Sequence, residues 1–479
     1  MRPFVMRPFV LLLLFPPALT FASEQPNVIL VMADDMGYGQ TGYYNHPILK
    51  TPNLDAMAAN GIRFDRFYAG APNCSPTRAT VLTGRSNDRT GVHNHGYAIN
   101  KQEKTIAQAF QQAGYSTAHF GKWHLNGLRG PGAPIFKEDA HHPGHLGFDY
   151  WLSVTNFFDM NPILSRNGVW EEHGGDSSEV IVKEALDYIR GENEKGKPVF
   201  IVIWYGTPHS PFMAYESDAE PFANLKPASR DHYAELVAMD RSIGTLRKEL
   251  RDFGMANNTI LWFNSDNGGL GNITPGTVGN LRGFKNSVYE GGLRVPAVVE
   301  WPAHIKPQIS NYPACTMDIF PTLIDFAGLS TKHINKVTDG ASLAKVINSD
   351  LSARPTPIGF RHTGRAAWID NNYKLITLKV GGGEYQLYDL KTDPKEQTDL
   401  LASKPEVANR MIKSFETWNA SVERSRLGAD YSSGKVDPFP RPQQTDLMTL
   451  PEYQKHFDEW IKRPEFKPYI ERQLKKQQK

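Results

Sequence analysis

The stretch Pro26-Asn27-Val28-Ile29-Leu30-Val31-Met32-Ala33-Asp34-Asp35 joins a run of apolar residues directly to two carboxylates. A short apolar run between polar residues is typical of a strand that is buried on both faces of a sheet. Three similar runs follow along the chain, at residues 116–120, 199–205 and 259–263. Helical apolar spacing occupies the intervals at residues 51–60, 177–190 and 230–253. Strands that alternate with helices predict an α/β fold, in which helices cover both faces of a large, mostly parallel sheet.

Polar side chains follow each of the four apolar runs. In chain order they are Asp34 and Asp35, Lys122 and His124, His209, and Asp266 and Asn267. Ligands of open α/β sheets bind beyond the carboxyl ends of the strands, so we expect these side chains to share one pocket. Asp34, Asp35, Asp266 and Asn267 offer oxygen ligands, which suit a hard cation such as Ca²⁺ or Mg²⁺. Taken alone, each pair is equally typical of a polar turn.

A second segment, residues 74–84, predicts a short helix with a cysteine at its amino end. The pattern gives an exposed Cys74, Ser75 as the N-cap, proline in the first turn and Gly84 as the stop. Free backbone N–H groups and the side chain of Arg78 favour an anion at that end. A thiol in this position is expected to have a lowered pKa and to act as a nucleophile, unless it pairs with Cys315, the only other cysteine of the chain.

Composition narrows the class of protein further. The 479 residues, 40% hydrophobic and 22% charged, suffice for a large core and exclude a disordered chain. The 53 basic and 51 acidic side chains nearly balance, which gives no indication of a nucleic-acid partner. Residues 1–22 combine two arginines with a short apolar stretch broken by Pro16-Pro17, as a cleaved secretion signal does. We therefore expect a secreted or periplasmic protein without an integral membrane segment.

The pattern of predicted strands and helices changes near residue 350. A catalytic domain is predicted over residues 23–345. Strand-like pieces on either side of three glycines at 381–383, together with a helical stretch at 406–422, predict a smaller α+β domain over residues 346–430. Residues 431–479 are rich in proline and charge and are predicted to form an extended tail.

The quoted residues also resemble a known family. The matching segments are Cys74-Ser75-Pro76-Thr77-Arg78 with Leu82-Thr83-Gly84-Arg85, then Asp34-Asp35-Met36-Gly37, Thr51-Pro52-Asn53-Leu54-Asp55, Gly121-Lys122-Trp123-His124, Thr207-Pro208-His209, Ser265-Asp266-Asn267-Gly268-Gly269, Lys285 and Glu384-Tyr385-Gln386-Leu387-Tyr388-Asp389-Leu390. They are similar to the formylglycine-dependent type I sulfatases of the alkaline phosphatase superfamily, over residues 27–401. Exported glycan sulfatases, N-acetylgalactosamine-6-sulfatase-like enzymes among them, share this pattern.

The resemblance implies a mechanism and a role for each of these residues. A formylglycine-generating maturation enzyme would oxidise Cys74, which removes the thiol from disulfide pairing, and the hydrated aldehyde would attack a sulfate ester. Ca²⁺, or less favourably Mg²⁺, would be held by Asp34, Asp35, Asp266, Asn267 and the modified Cys74. Cations around the sulfate would be Arg78, Lys122 and Lys285. His124 would act on the diol, and His209 with Lys285 on the leaving-group side.

Several alternatives remain open at the level of the sequence. A sulfated carbohydrate is the expected substrate, with aryl sulfates second. A phosphomonoester or phosphonate hydrolase on the same scaffold, a cysteine-type enzyme and a non-catalytic binder of sulfated glycans are the others. His93 and His95 follow the nucleophile segment and could reach substrate, whereas His141, His142 and His145 are interpreted as loop residues.

Overall fold

The structure, a computed structural model, describes residues 25–348, 351 and 353–477. The predicted signal peptide at residues 1–22 lies outside the described residues. The strands are β1 Asn27–Ala33, β2 Ile62–Phe64, β3 Phe67–Tyr68, β4 Ser116–Lys122, β5 Leu128–Arg129, β6 Tyr150–Val154, β7 Ile163–Arg166, β8 Val169–Glu172, β9 Val199–Trp204, β10 Thr259–Ser265, β11 Arg294–Val295, β12 Ala297–Glu300, β13 Gln308–Ser310, β14 Ala314–Cys315, β15 Ile358–His362, β16 Arg365–Asp370, β17 Tyr373–Thr377, β18 Gln386–Asp389 and β19 Thr445–Asp446. The α-helices are α1 Pro52–Asn60, α2 Cys74–Thr83, α3 Ile106–Gln112, α4 Ser177–Glu194, α5 Glu216–Ala219, α6 Pro227–Asp252, α7 Glu290–Leu293, α8 Ile319–Phe326, α9 Ala344–Asn348, α10 Pro405–Arg426, α11 Pro451–Gln454, α12 Phe457–Trp460 and α13 Lys467–Gln477.

A ten-stranded sheet forms the centre of the molecule, in the order β13-β2-β12-β10-β1-β9-β4-β6-β7-β8. The four strands predicted from apolar runs are β1, β4, β9 and β10, and they lie side by side as parallel neighbours. Antiparallel pairs occur only toward the two edges of this sheet, for example β10 with β12 and β6 with β7. The predicted fold class, a large mostly parallel sheet covered by helices, is confirmed.

Alternate residues of β1 face opposite sides of the sheet, and each side is covered by its own helices. Val28 and Leu30 belong to an apolar cluster with α2, α3 and α8. Ile29 and Val31 belong to another with α1, α4 and α6. A strand apolar at every position is what a sheet buried on both faces requires.

The smaller C-terminal unit is an antiparallel sheet, in the order β15-β16-β17-β18, with α10 packed on it. The sequence predicted β17, β18 and the helix, but missed β15 and β16. The backbone of Gly359 in β15 lies directly against Trp418 of α10, since a Cβ at this position would lie 2.4 Å from the indole ring.

The segment after residue 434 packs against the part of the chain that forms the large sheet. Strand β19 pairs in parallel with β5. Tyr453, Trp460 and Ile470 are buried in a cluster that also contains Leu128 of β5. We call residues 434–477 the C-terminal strap. Among the described residues, no helix is long and apolar enough to cross a bilayer.

Candidate active site

The carboxyl ends of β1 and β10 bring together the acidic residues predicted to bind a cation. The parallel register pairs Ala33 with Ser265, so that Asp34 and Asp266 follow their strands at the same height. The backbone N–H of Asp35 donates to Asp266 Oδ1 at 3.0 Å, and Asn267 Nδ2 donates to Asp35 Oδ1 at 2.8 Å. Carboxylate oxygens of Asp34, Asp35 and Asp266 lie within 4.8 Å of one another, all of them buried.

Three buried carboxylates at this spacing repel one another. Burial and the neighbouring Asp34 raise the pKa of Asp266 well above its usual range. Burial also acts to raise the pKa of Asp34, but Lys122 and other nearby cations outweigh it and hold that pKa below its usual range. Within the described part of the chain, Asp34 Oδ1 and Asn267 Oδ1 are buried and accept no hydrogen bond. An oxygen-only donor set with two unused buried oxygens fits a hard divalent cation.

Cys74 is the first residue of α2, whose amino end points at this cluster. Asn73, in extended conformation, is the N-cap, so the prediction of Ser75 as the cap is wrong. Ser75 lies inside the helix, where its Oγ accepts a hydrogen bond from the N–H of Gly96 at 2.8 Å. The prediction of an exposed cysteine is also wrong, because every residue of α2 is buried and Cys74 is only 2% exposed.

Burial also reverses the expected chemistry of the free thiol. It raises the pKa of Cys74, although Lys122 and Lys285 act in the opposite direction. A lowered pKa was the expectation from the helix end alone. Cys74 and Cys315 are both free, so no disulfide joins them.

Three cations surround the carboxylates. Arg78 Nη2 donates to Asp266 Oδ2 at 3.0 Å, and Nη1 donates to the carbonyl of Lys122 at 3.1 Å. Lys122 Nζ donates to Asp34 Oδ2. Lys285 Nζ donates to Asp35 Oδ2 at 2.8 Å.

The structure distinguishes Lys285 from the two arginines near it in sequence. Arg282 donates to the Tyr388 hydroxyl at 3.1 Å, which ties it to the smaller sheet. Arg294 stacks on Tyr38 and donates to the carbonyl of Asp65 at 2.7 Å. Of these three side chains, only Lys285 reaches the carboxylate cluster.

Two histidines complete the group. His124 is 2% exposed, has a positive φ of 55°, and neither of its ring nitrogens has a hydrogen-bond partner among the described residues. Burial, with help from Lys122, lowers the pKa of His124 well below its usual value, which favours the neutral imidazole. His209 stacks on Phe157 at 5.0 Å and places Nε2 3.8 Å from Asp35 Oδ2. Burial, and next the charge of Lys285, lower the pKa of His209 to about 4.

The structure thus brings together all the residues predicted for the site. They are Asp34, Asp35, Cys74, Arg78, Lys122, His124, His209, Asp266, Asn267 and Lys285. Sequence reasoning missed Trp204, whose ring lies 5.0 Å from the guanidinium carbon of Arg78. Its position at the end of β9, a strand already predicted to lead into the site, was the available signal.

The other five histidines named from the sequence divide into two groups. Burial is the main reason why the pKa of His95 is lowered to about 4. The nearby charges of Lys285 and Lys122 act in the same direction. His93 does not contact these lysines but places Nδ1 3.3 Å from Asp88 Oδ1. His142 and His145 stack on each other at 4.1 Å, and the His141 ring stacks on Phe439 of the strap.

Comparison with known proteins agrees with this geometry. Residues 26–329 match the family model described as Sulfatase. The chain belongs to the sulfatase family, as a type I sulfatase of the alkaline phosphatase superfamily, and it is therefore a sulfuric ester hydrolase. The family and activity expected from the sequence are confirmed.

Individual relatives cover most of the chain. It is 34% identical over 455 residues to N-acetylgalactosamine-6-sulfatase of Sus scrofa, which covers 87% of this chain and 76% of that protein. It is 30% identical over 462 residues to arylsulfatase A of Bos taurus, a match that covers 82% of this chain and 87% of that protein. Among solved structures, Ps i-CgsB in complex with k-i-k-neocarrahexaose aligns with a TM-score of 0.72 at 27% identity, over 82% of this chain and 93% of that one.

Proposed function

We propose that this enzyme removes sulfate from a sulfated carbohydrate, with Cys74 in its oxidised formylglycine form as the nucleophile. The observation that carries the proposal is the position of Cys74. It begins a buried helix beside three clustered carboxylates, and the charges of Lys122 and Lys285 act on its thiol. An ordinary catalytic thiolate is disfavoured there, because burial raises the pKa of the thiol.

Asp34, Asp35, Asp266 and Asn267, together with the modified Cys74, would hold a divalent cation, with Ca²⁺ preferred over Mg²⁺. The unused oxygens Asp34 Oδ1 and Asn267 Oδ1 support this assignment. A bound cation supplies charge neutralisation and polarisation of the sulfate oxygens. Asn267 contributes an oxygen without adding a fourth negative charge to a cluster that already contains three carboxylates.

A maturation enzyme would convert the Cys74 side chain to an aldehyde, and addition of water gives two hydroxyl groups on one carbon. One hydroxyl loses its proton to solvent and its oxygen attacks the ester sulfur, the bond from sulfur to the sugar oxygen breaks, and the electron pair leaves with that oxygen. The second hydroxyl then gives its proton to His124, the carbon–oxygen bond to the sulfate breaks, and the aldehyde re-forms as inorganic sulfate leaves. His124 fits this role because its ring is neutral and both nitrogens are unpartnered in the described structure.

The cations would stabilise the sulfuryl group during transfer. Arg78 is fixed from both sides, by Asp266 and by the ring of Trp204, so its position is preorganised. Preorganised charge of this kind contributes about 3 kcal/mol per donor in comparable sites. His209 and Lys285 lie together beside Asp35 and would complete protonation of the leaving oxygen.

The nature of the substrate rests on the relatives. One is named for N-acetylgalactosamine-6-sulfate, and another was solved with a neocarrahexaose, so a sulfated glycan is the first choice. Aryl sulfates come second, as in arylsulfatase A. Export through a cleaved signal would bring the enzyme to such glycans.

The experiment is a comparison of ester classes. Enzyme co-expressed with a formylglycine-generating enzyme is assayed at matched concentrations of sulfated saccharides, 4-nitrophenyl sulfate and 4-nitrophenyl phosphate. We expect the highest kcat/KM on a sulfated saccharide and no turnover by Cys74→Ala, whose circular dichroism should match the parent. A higher kcat/KM on the phosphate ester would contradict the proposal.

A further inference from the structure

A large cleft lies between the catalytic part of the chain and the smaller C-terminal sheet, away from the proposed active site. Its volume is about 980 Å³, at the upper end of the range for small-molecule sites. We define this basic cleft by Tyr38, Arg66, Arg294, Tyr312, Lys391 and Lys395. None of the proposed catalytic or cation-binding residues lines it.

The basic cleft carries uncompensated positive charge. Its described lining includes two arginines and two lysines but no acidic residue. Arg66 donates hydrogen bonds to two neutral groups, the carbonyl of Asn371 and the side-chain oxygen of Asn372. Lys391 and Lys395 are exposed, and neither forms an ion pair within the part of the chain that the structure describes.

The charge of Arg294 is only partly compensated. It donates to the Asp65 carbonyl and the Tyr38 hydroxyl, and its nearest carboxylate, Glu290, is 3.7 Å away. That carboxylate is shared with Lys374, which lies 2.9 Å from it. A concave, low-dielectric surface with charge of one sign concentrates its field, so the cleft favours anions.

The uncharged part of the lining suits a sugar. Asn311 and Asn372 offer amide groups for hydroxyls, whereas the Asn371 amide is bonded to Arg354 and Asp370. Tyr38 stands three residues after Asp35, so the cleft begins within about 11 Å of chain from the carboxylate cluster. An extended oligosaccharide is longer than this separation.

We propose that the basic cleft binds a second sulfated or uronate-bearing segment of the glycan, apart from the ester that is cleaved. This inference rests on the proposed function, because it takes a sulfated glycan as the substrate. The cleft would raise affinity for oligosaccharides and leave small esters unaffected.

The test removes charge from the cleft alone. The double variant Lys391→Ala/Lys395→Ala is compared with Lys332→Ala/Lys336→Ala, an exposed pair with the same spacing outside the cleft. Binding of a chondroitin 6-sulfate octasaccharide is measured by calorimetry, with Cys74→Ala in every protein so that the probe is not consumed. We expect the Kd to rise about three- to tenfold for the cleft pair and to stay unchanged for the control pair.

Turnover of 4-nitrophenyl sulfate by both pairs, made with Cys74 intact and matured, should equal that of the parent. Equal losses of octasaccharide binding in the two pairs, no loss in the cleft pair, or equally tight binding of a DNA duplex of matched charge would overturn the inference. Failure of the proposed function would look different, because no matured protein, parent included, would then hydrolyse any sulfate ester.

Discussion

His124 shows how much of the proposed chemistry depends on single side chains. A non-glycine residue with positive φ is strained by about 1–3 kcal/mol, and buried ring nitrogens without partners carry a further cost. Such a residue persists where the surrounding structure holds it in place, and active sites are where this is most often found. In the proposed reaction, the unpartnered nitrogen accepts a proton.

We therefore expect His124→Gln to lower kcat by about 10²- to 10⁴-fold, the range for loss of a general base. Because the first transfer does not need this base, the sulfo-enzyme should accumulate. Mass spectrometry of the acid-quenched peptide that contains residue 74 measures it. His145→Gln, an exposed histidine outside the site, serves as the control. A kcat near that of the parent, or a bare aldehyde in the quenched variant, would count against this role.

A second residue prediction concerns Glu235, which is fully buried on α6. Burial and the charge of Asp159 raise the pKa of Glu235 well above its usual value. The folded state then binds this proton more tightly than the unfolded chain does. Its contribution to stability is complete below the ordinary pKa of a glutamic acid and is lost as the pH rises toward the folded-state pKa.

Glu235→Gln removes the ionisation and keeps an oxygen for the N–H of Met213. The free energy of unfolding should therefore fall less steeply with rising pH than in the parent. Urea unfolding at a series of pH values measures this, with exposed Glu194→Gln as the control. Parallel pH profiles for parent and Glu235→Gln would show that the buried proton is not the cause.

Residues of the site were predictable from sequence where a motif fixed both type and position. Asp34, Asp35 and Arg78 are of this kind. Asn73 was also within reach, since asparagine is a favoured N-cap and directly precedes the helix. The burial of Cys74 could not be predicted, because it depends on the packing of α2 against α8 and the sheet, which are distant in sequence.

Among the elements that carry no site residue, the C-terminal strap is linked to the nucleophile helix through a single loop. Gln444 donates to the carbonyl of His95 at 2.8 Å, and Gln443 donates to the carbonyl of Gly91. These bonds hold the loop whose Gly96 N–H is bonded to Ser75 of α2. The strap therefore supports the nucleophile helix through one intervening loop.

Trp460→Ala should weaken this support. The ring is 2% exposed and stacks on Trp170 and Phe466, and loss of a buried tryptophan costs about 3–5 kcal/mol. We expect faster amide hydrogen exchange in residues 91–98 and 126–130, with the rate in β1 unchanged. Leu474→Ala, at an exposed position of α13, is the control. Unchanged exchange in both segments would mean that the strap does not stabilise the loop.

Strands were predictable when they were apolar throughout, and were missed when they were short or mixed. The strands β1, β9 and β10 have long apolar runs and belong to the first kind, whereas β4 was predicted although it contains Thr117 and His119. β15 ends in Arg361 and His362, β16 has a short apolar run between Arg365 and Asp370, and β19 has only two residues. A strand of that length exists because β5 pairs with it, which no local pattern encodes.

At the scale of the whole molecule, the site exists because distant strands end at one edge of the sheet. The order β10-β1-β9-β4 places residues 34, 122, 204 and 266 next to one another. The class of fold follows from alternating strands and helices, but this order does not, since β9 enters between β1 and β4 from far along the chain. The position of the polar residues after the strands predicted one shared pocket, and the family resemblance assigned their roles, but neither gave the strand order.

Removal of divalent cations should destabilise the whole molecule. Without a cation, the repulsion among Asp34, Asp35 and Asp266 is relieved only by the nearby lysines and Arg78. We expect chelation to lower the Tm and abolish turnover, and Ca²⁺ to restore both. At 100 times its Kd, a bound ion adds about 2.7 kcal/mol. Asp266→Asn should blunt the Ca²⁺ response of the Tm, and a Tm indifferent to chelation in the parent would argue against a cation here.

The central claim is that turnover depends on an aldehyde made from Cys74. It is tested most directly by mass spectrometry of the peptide that contains residue 74, in preparations matured to different extents, each assayed with 4-nitrophenyl sulfate. We predict that the specific activity is proportional to the fraction of formylglycine and extrapolates to zero when that fraction is zero. Full activity in a preparation whose residue 74 is entirely unmodified cysteine would contradict it.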